Sequence, residues 1–223
     1  MLLAPCPSLI AQNLSLLTHN FSLLLLKAFY MKRIAIFASG NGTNAQNIIE
    51  HFIDNPEVEV SFILSNRKNA FVLKRAEKFN IPSLTFNHKE FYETEIISRL
   101  LIYKKIDLIV LAGFLWLIPD HMLKAFPGRI INIHPALLPG VGGKGYYGMK
   151  VHEAVMASGA KESGITIHYV NEKYDDGQTI FQARCPVVAS DTAESLAQKV
   201  HALEYAHFPE VITQMLKKIE TIK

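Results

Sequence analysis

Three short runs in this chain are apolar almost from end to end: Arg33–Ala38 (Arg-Ile-Ala-Ile-Phe-Ala), Asp107–Ala112 (Asp-Leu-Ile-Val-Leu-Ala) and Arg129–His134 (Arg-Ile-Ile-Asn-Ile-His). A strand with one wet face alternates polar and apolar residues. Runs that stay apolar at successive positions are covered on both faces, as in a parallel sheet packed between helices. Each run is also too short to be a buried helix. Segments with helical spacing lie between them. Strand and helix therefore alternate through the first half of the chain. That alternation predicts an α/β fold: a single doubly wound, mostly parallel sheet, with helices on both faces and a Rossmann-like N-terminal half.

The remaining elements follow from local signals. Thr43 stands three residues before Gln46, a capping-box spacing that opens a helix through about Asp54. Further strands are expected at Glu57–Leu64, Ser83–Phe86, Gly164–Val170 and Thr179–Val187. Helices are expected at Ala70–Phe79, at Lys89–Lys105, after Pro119, and at Met149–Ser158. Asp191 with Glu194 is read as the cap of a last helix, which Pro209 kinks or restarts. Pro135–Gly148 is a glycine-rich loop.

Composition narrows the classes. The chain has 223 residues, enough for one such domain, and a net charge of +3, too weak to require a nucleic-acid partner. Its two cysteines, Cys6 and Cys185, make neither a disulfide framework nor a zinc site. No histidine pair has metal-site spacing, so no metal is expected. Residues 1–30 carry one charged side chain, Lys27, but their polar interruptions argue against a membrane span. They lack the basic start of a signal peptide. They are read as an upstream extension, with the domain spanning residues 31–223.

Three segments carry chemistry. Ser39-Gly40-Asn41-Gly42-Thr43-Asn44 joins the first strand to the first helix; it reads either as a plain tight turn or as a site where inward backbone N–H groups and a helix N-terminus suit one phosphate. The full dinucleotide fingerprint is absent, as is the P-loop lysine. Asn132 and His134 lie two apart on a strand, hence on one face, at the carboxyl end of a central strand. Asn can donate to a developing oxyanion, and His can move a proton near neutral pH. Tyr174-Asp175-Asp176-Gly177 follows the strand that holds His168; a carboxylate there would support a histidine, but taken alone the segment reads first as a turn. On pattern alone Lys89 and Arg67 are surface residues, and Leu115-Trp116-Leu117-Ile118 is either core or the wall of an aromatic pocket.

These motifs occur in an order and at spacings that resemble the phosphoribosylglycinamide formyltransferase family, from Met31 to about Lys218. The matching segments are Ser39–Asn44, Leu111–Phe114, Asn132–Pro139, Gly164–Val170 and Asp175–Gly177. The resemblance implies formyl transfer from 10-formyltetrahydrofolate to the amine of 5-phosphoribosylglycinamide in purine biosynthesis, in a cytoplasmic monomer or homodimer without nucleic-acid or membrane partners. It implies that Gly42, Thr43 and Asn44 hold the substrate phosphate and that Glu204 contacts the glycinamide substrate. Asn132, His134 and Asp175 would be the catalytic trio, with Asp175 favouring the cationic form of His134. Lys89, Leu115, Trp116, Leu117, Ile118 and Asn132 would contact the folate, and His168 would back the trio. Two features depart from the family: the long loop Gly140–Gly148, and Asp176 where many members have glycine. The alternatives are formyltetrahydrofolate hydrolase, methionyl-tRNA formyltransferase and a non-catalytic phosphoribosyl- or nucleotide-binding module.

Overall fold

The first apolar run forms a strand, β1 (Lys32–Phe37), whose successive side chains enter two different cores. Ile34 and Ile36 face one, and Ala35 and Phe37 the other, all fully buried. That is the two-sided burial its composition demands. A computed structural model describes residues 31–220. The extension proposed for residues 1–30 lies outside the described residues.

After β1 come α1 (Thr43–Phe52), β2 (Val58–Ser65), α2 (Phe71–Lys78), β3 (Ser83–Thr85), α3 (His88–Tyr92), α4 (Ile96–Tyr103) and β4 (Leu108–Leu111). The second half holds α5 (Asp120–Ala125), β5 (Ile130–His134), α6 (Met149–Ala157), β6 (Glu162–Tyr169), β7 (Thr179–Pro186) and α7 (Ala193–Glu220). The strands form one sheet in the order β3-β2-β1-β4-β5-β6-β7. The first five are parallel, and β6 and β7 add antiparallel to β5. The order reverses at β1, between β2 and β4, so loops leaving β1 and β4 diverge and open a crevice at their carboxyl ends.

One core joins β1 to α1, α2, α6 and α7 and is largely aliphatic; the other joins it to α3, α4 and α5 and is rich in aromatics. In the second, Phe37, Phe86, Phe91, Phe114 and Trp116 pack with ring centroids 4.8–6.4 Å apart.

Three local expectations are corrected. Gly42, not Thr43, occupies the N-cap of α1, and no side chain caps it. Lys89–Lys105 is not one helix. It breaks at Glu93–Glu95, where the Thr94 hydroxyl donates to the Glu90 carbonyl at 2.7 Å in competition with the helix backbone. A capping box between Asn87 and Glu90 instead starts the short α3. At α7, Thr192 rather than Asp191 acts as cap, accepting from the Ser195 N–H at 3.2 Å. Asp191 receives the Lys199 ammonium at 2.6 Å instead.

Of the two outcomes expected at Pro209, a restart does not occur: α7 continues through it as one helix. Proline lacks the N–H that would bond the carbonyl four residues back, at Tyr205. The Asn47 amide on α1 donates to that carbonyl at 3.0 Å.

Candidate active site

A cavity of about 440 Å³ opens at the carboxyl ends of β1, β4 and β5. That volume suits a small-molecule site, for which about 300–1,000 Å³ is usual.

One end of the cavity is backbone. The loop Ser39–Asn44 turns from β1 into α1 through Gly42, whose φ of 74° favours glycine. A Cβ there would stand 2.4 Å from the Val72 side chain, so no other residue fits the turn as it is packed. Without a side-chain cap, the first N–H groups of α1 stay open to a ligand. From α2, the Arg75 guanidinium braces the loop, donating to the Asn41 carbonyl at 2.8 Å and to its side-chain oxygen at 2.9 Å. Thr43 and Asn44 line the cavity, but the Asn44 amide is turned to Glu204 Oε2 at 2.9 Å.

The other end is made of side chains. Asn132 and His134 project from β5, and Asp175 comes from the turn after β6. That turn approaches β6 closely. A Cβ on Gly177 would lie 1.6 Å from the Tyr169 carbonyl oxygen, so only glycine permits the approach. Asp175 itself adopts a φ of 52°. Its Oδ2 is 3.4 Å from His134 Nδ1, and its Oδ1 is 3.7 Å from His168 Nε2. Asp176 points elsewhere, to Asn171 and Lys173.

Hydrogen-bond partners assign the protons. The His168 Nδ1 hydrogen meets the Tyr169 carbonyl at 2.8 Å, which leaves Nε2 to accept from Asn132 Nδ2 at 3.1 Å. The second hydrogen of that amide points to Asp175 Oδ1 at a longer 3.4 Å. His134 Nε2 donates to the Val141 carbonyl at 2.7 Å, and the Gly143 N–H donates to Asp175 Oδ2 at 2.9 Å. The glycine-rich loop is thus seated on the trio.

Asp175 does favour the cationic form of His134, as expected, but it is not the largest influence on the ring. Burial lowers its pKa, and this outweighs the opposing pull of Asp175 and the Val141 carbonyl; His168 lowers it further. Burial alone would raise Asp175, yet the neighbouring His134 ring and the Gly143 N–H help to hold its carboxyl below the usual carboxylate range. Burial pushes Glu204 up to about 7, against the Asn44 amide.

Residues 32–212 match the formyl transferase family. A phosphoribosylglycinamide formyltransferase of Bacillus subtilis is 38% identical over 192 residues, which cover 83% of this chain and 95% of that one. The chain belongs to the phosphoribosylglycinamide formyltransferase family. A phosphoribosylglycinamide formyltransferase of Arabidopsis thaliana, described as chloroplastic, is 42% identical over 81% of this chain. The chain spans 64% of the length of that plant relative. The crystal structure of phosphoribosylglycinamide formyltransferase from Streptococcus pneumoniae superposes with a TM-score of 0.73 at 38% identity, covering 83% of this chain and 99% of that one. The seven-stranded, mostly parallel sheet is the formyltransferase fold.

Within this family member, the cavity gathers Gly42, Thr43, Asn44, Leu115, Asn132, His134, Asp175 and Glu204. It does not gather Lys89, Trp116, Leu117 or Ile118. Lys89 is exposed on α3, Trp116 joins the aromatic core, the Leu117 carbonyl accepts from the Tyr92 hydroxyl at 2.9 Å, and Ile118 is buried. Sequence reasoning missed Arg67, Tyr146, Tyr147, His152 and His201, which also line the cavity. Arg67 follows β2 at the carboxyl edge of the sheet, a position that could have marked it. No local signal marks His152 or His201; only the packing of α6 on α7 brings them in.

No histidine, cysteine and carboxylate group able to hold a metal occurs among the described residues. No helix among them is long and apolar enough to cross a membrane.

Proposed function

We propose that residues 31–223 form one domain that transfers the formyl group of 10-formyltetrahydrofolate to the primary amine of 5-phosphoribosylglycinamide, in purine biosynthesis. One observation carries the reading: a single cavity has an open, glycine-built anion loop at one end and the Asn132–His134–Asp175 cluster at the other. A substrate with a phosphate and a reacting amine needs both ends at once.

Gly42, Thr43 and Asn44 take the phosphate on the open N–H groups of α1. This remote binding fixes the amine against the formyl carbon. Glu204 contacts the glycinamide substrate from α7. The folate lies on the Leu115–Ile118 side, against Leu115 and Asn132, with Lys89 on the exposed α3 available to its acidic tail.

As the amine adds to the formyl carbon, negative charge collects on the formyl oxygen. Asn132 meets it with the amide hydrogen whose present contact, to Asp175, is the longer. One placed donor of this kind is worth about 3 kcal/mol. The attacking nitrogen then loses a proton, and the departing folate nitrogen gains one. Once the substrate displaces the Val141 carbonyl, the neutral His134 ring holds its hydrogen on Nδ1, toward Asp175, so Nε2 is free to accept the proton from the amine and pass it to the folate nitrogen. The lowered pKa of His134 makes the charged ring a ready donor. Asp175 fixes the ring through Nδ1 and steadies its charge while the proton is held.

Formyl-folate is a co-substrate in this scheme, and no metal takes part. We place the protein in the cytoplasm as a monomer or homodimer, without nucleic-acid partners.

The test mixes the protein with 10-formyltetrahydrofolate, with and without 5-phosphoribosylglycinamide, and follows folate absorbance. Loss of formyl-folate only with the amine present is expected. Loss without the amine indicates the hydrolase, and no loss in either mixture indicates a binding module.

A further inference from the structure

Between the two ends of the cavity runs a row of polar side chains: Asn44 on α1, Glu204 and His201 on α7, and His152 on α6, which leads to His134. Neighbours in the row are close. The Asn44 amide bonds Glu204 at 2.9 Å, and the His201 and His152 ring centroids lie 6.3 Å apart, edge to face.

His152 is the anomaly. It is 2% exposed, deeper than any other member of the row, yet neither ring nitrogen has a hydrogen-bond partner among the described residues. Nδ1 is closed off from solvent, whereas Nε2 is not, and the ring lines the cavity. A buried polar group left unpaired is costly, and native proteins rarely keep one without a use. A pure packing role would be served by an apolar side chain of similar size. Asn44 Oδ1, further along the same row, is likewise buried without a partner.

We propose that His152 is a substrate-binding residue that hydrogen-bonds the sugar–amide middle of a phosphoribosyl amine. The inference rests on the reading given under the proposed function, because His152 lines the same cavity as the anion loop and His134. The middle of such a molecule offers neutral hydroxyl and amide groups, which suit a neutral imidazole. Burial, then His201 and His134, push the His152 pKa down to about 4, so the ring stays neutral at working pH and places no second cation beside His134.

The experiment compares wild type, His152→Leu and His152→Gln by calorimetry, with ribose 5-phosphate, 5-phosphoribosylglycinamide and formyl-folate as separate ligands. His152→Leu should weaken both phosphoribosyl ligands about tenfold or more and leave formyl-folate within about twofold. His152→Gln, which keeps a polar head, should recover part of the loss. Equal weakening of all three ligands, or of none, overturns the proposal in favour of packing. Should His152→Leu fail to fold, ring-nitrogen NMR of wild type decides: addition of ribose 5-phosphate should move the His152 signals, and unmoved signals overturn the proposal. Wild type that binds ribose 5-phosphate through His152 but not 5-phosphoribosylglycinamide would instead sink the proposed substrate and leave the sugar contact standing.

Discussion

The two ends of the cavity are built from different materials. At the Gly42 end the working groups are backbone N–H groups, held by one left-handed glycine, the Val72 side chain beneath it and the Arg75 fork across it. At the His134 end they are side chains from two strands and a turn, held by one another and by the Val141 and Gly143 backbone. The first design positions a ligand by shape and loses little when a side chain changes. The second moves protons and depends on each member. Losses at the Gly42 end should therefore appear mainly in substrate affinity, and losses at the His134 end mainly in turnover.

The largest effect should come from His134→Ala: a fall in kcat of about 100-fold or more, with the folded circular-dichroism spectrum retained. Near-normal turnover would remove His134 from the chemistry. Next, Asp175→Asn should lower kcat about tenfold or more, because a neutral amide no longer steadies a charged His134 ring. Asp176→Asn should change it little. The reverse order would move the working carboxylate to Asp176, against its observed contacts with Asn171 and Lys173.

At the other end, Gly42→Ala must displace Val72 or the loop. It should raise KM for the phosphoribosyl substrate about tenfold while kcat changes less. A pure kcat loss would erase the proposed division of labour.

The smallest effect concerns stability. Glu204 has a folded pKa raised to about 7 from an ordinary 4.5. The folded state therefore binds its proton more tightly than the unfolded state does. That contribution is complete below about pH 4.5 and is lost as pH rises through about 7. The Tm of the ligand-free protein should fall across this window, and Glu204→Gln should flatten the slope. An unchanged slope would place the titration elsewhere.

Much of this arrangement was legible in the sequence, for identifiable reasons. Runs apolar at successive positions report burial on two faces, so β1, β4 and β5 could be read directly, and strand–helix alternation gave their parallel sense. A period of two put Asn132 and His134 on one face. Other features depend on contacts between residues far apart in the chain. His152 and His201 enter the cavity only because α6 packs on α7, and Glu204 acquires its raised pKa only through burial there. The pull of Asp175 on His134 could be read from the sequence, whereas the burial that outweighs it could not. The helix expected at Lys89–Lys105 breaks at Glu93–Glu95, where the Thr94 hydroxyl takes the Glu90 carbonyl.

Pro209 leaves the Tyr205 carbonyl without its helical partner, and Asn47 supplies one from α1. The consequence is mechanical. An ordinary pair of packed helices can slide along each other by small steps, since side-chain contacts are exchanged gradually. Here the shared bond joins the backbone of one helix to a short side chain of the other, and works only at one setting. It lies one residue from Glu204 and three from Asn44, so it acts as a dowel that keeps the floor of the cavity in register with its anion loop.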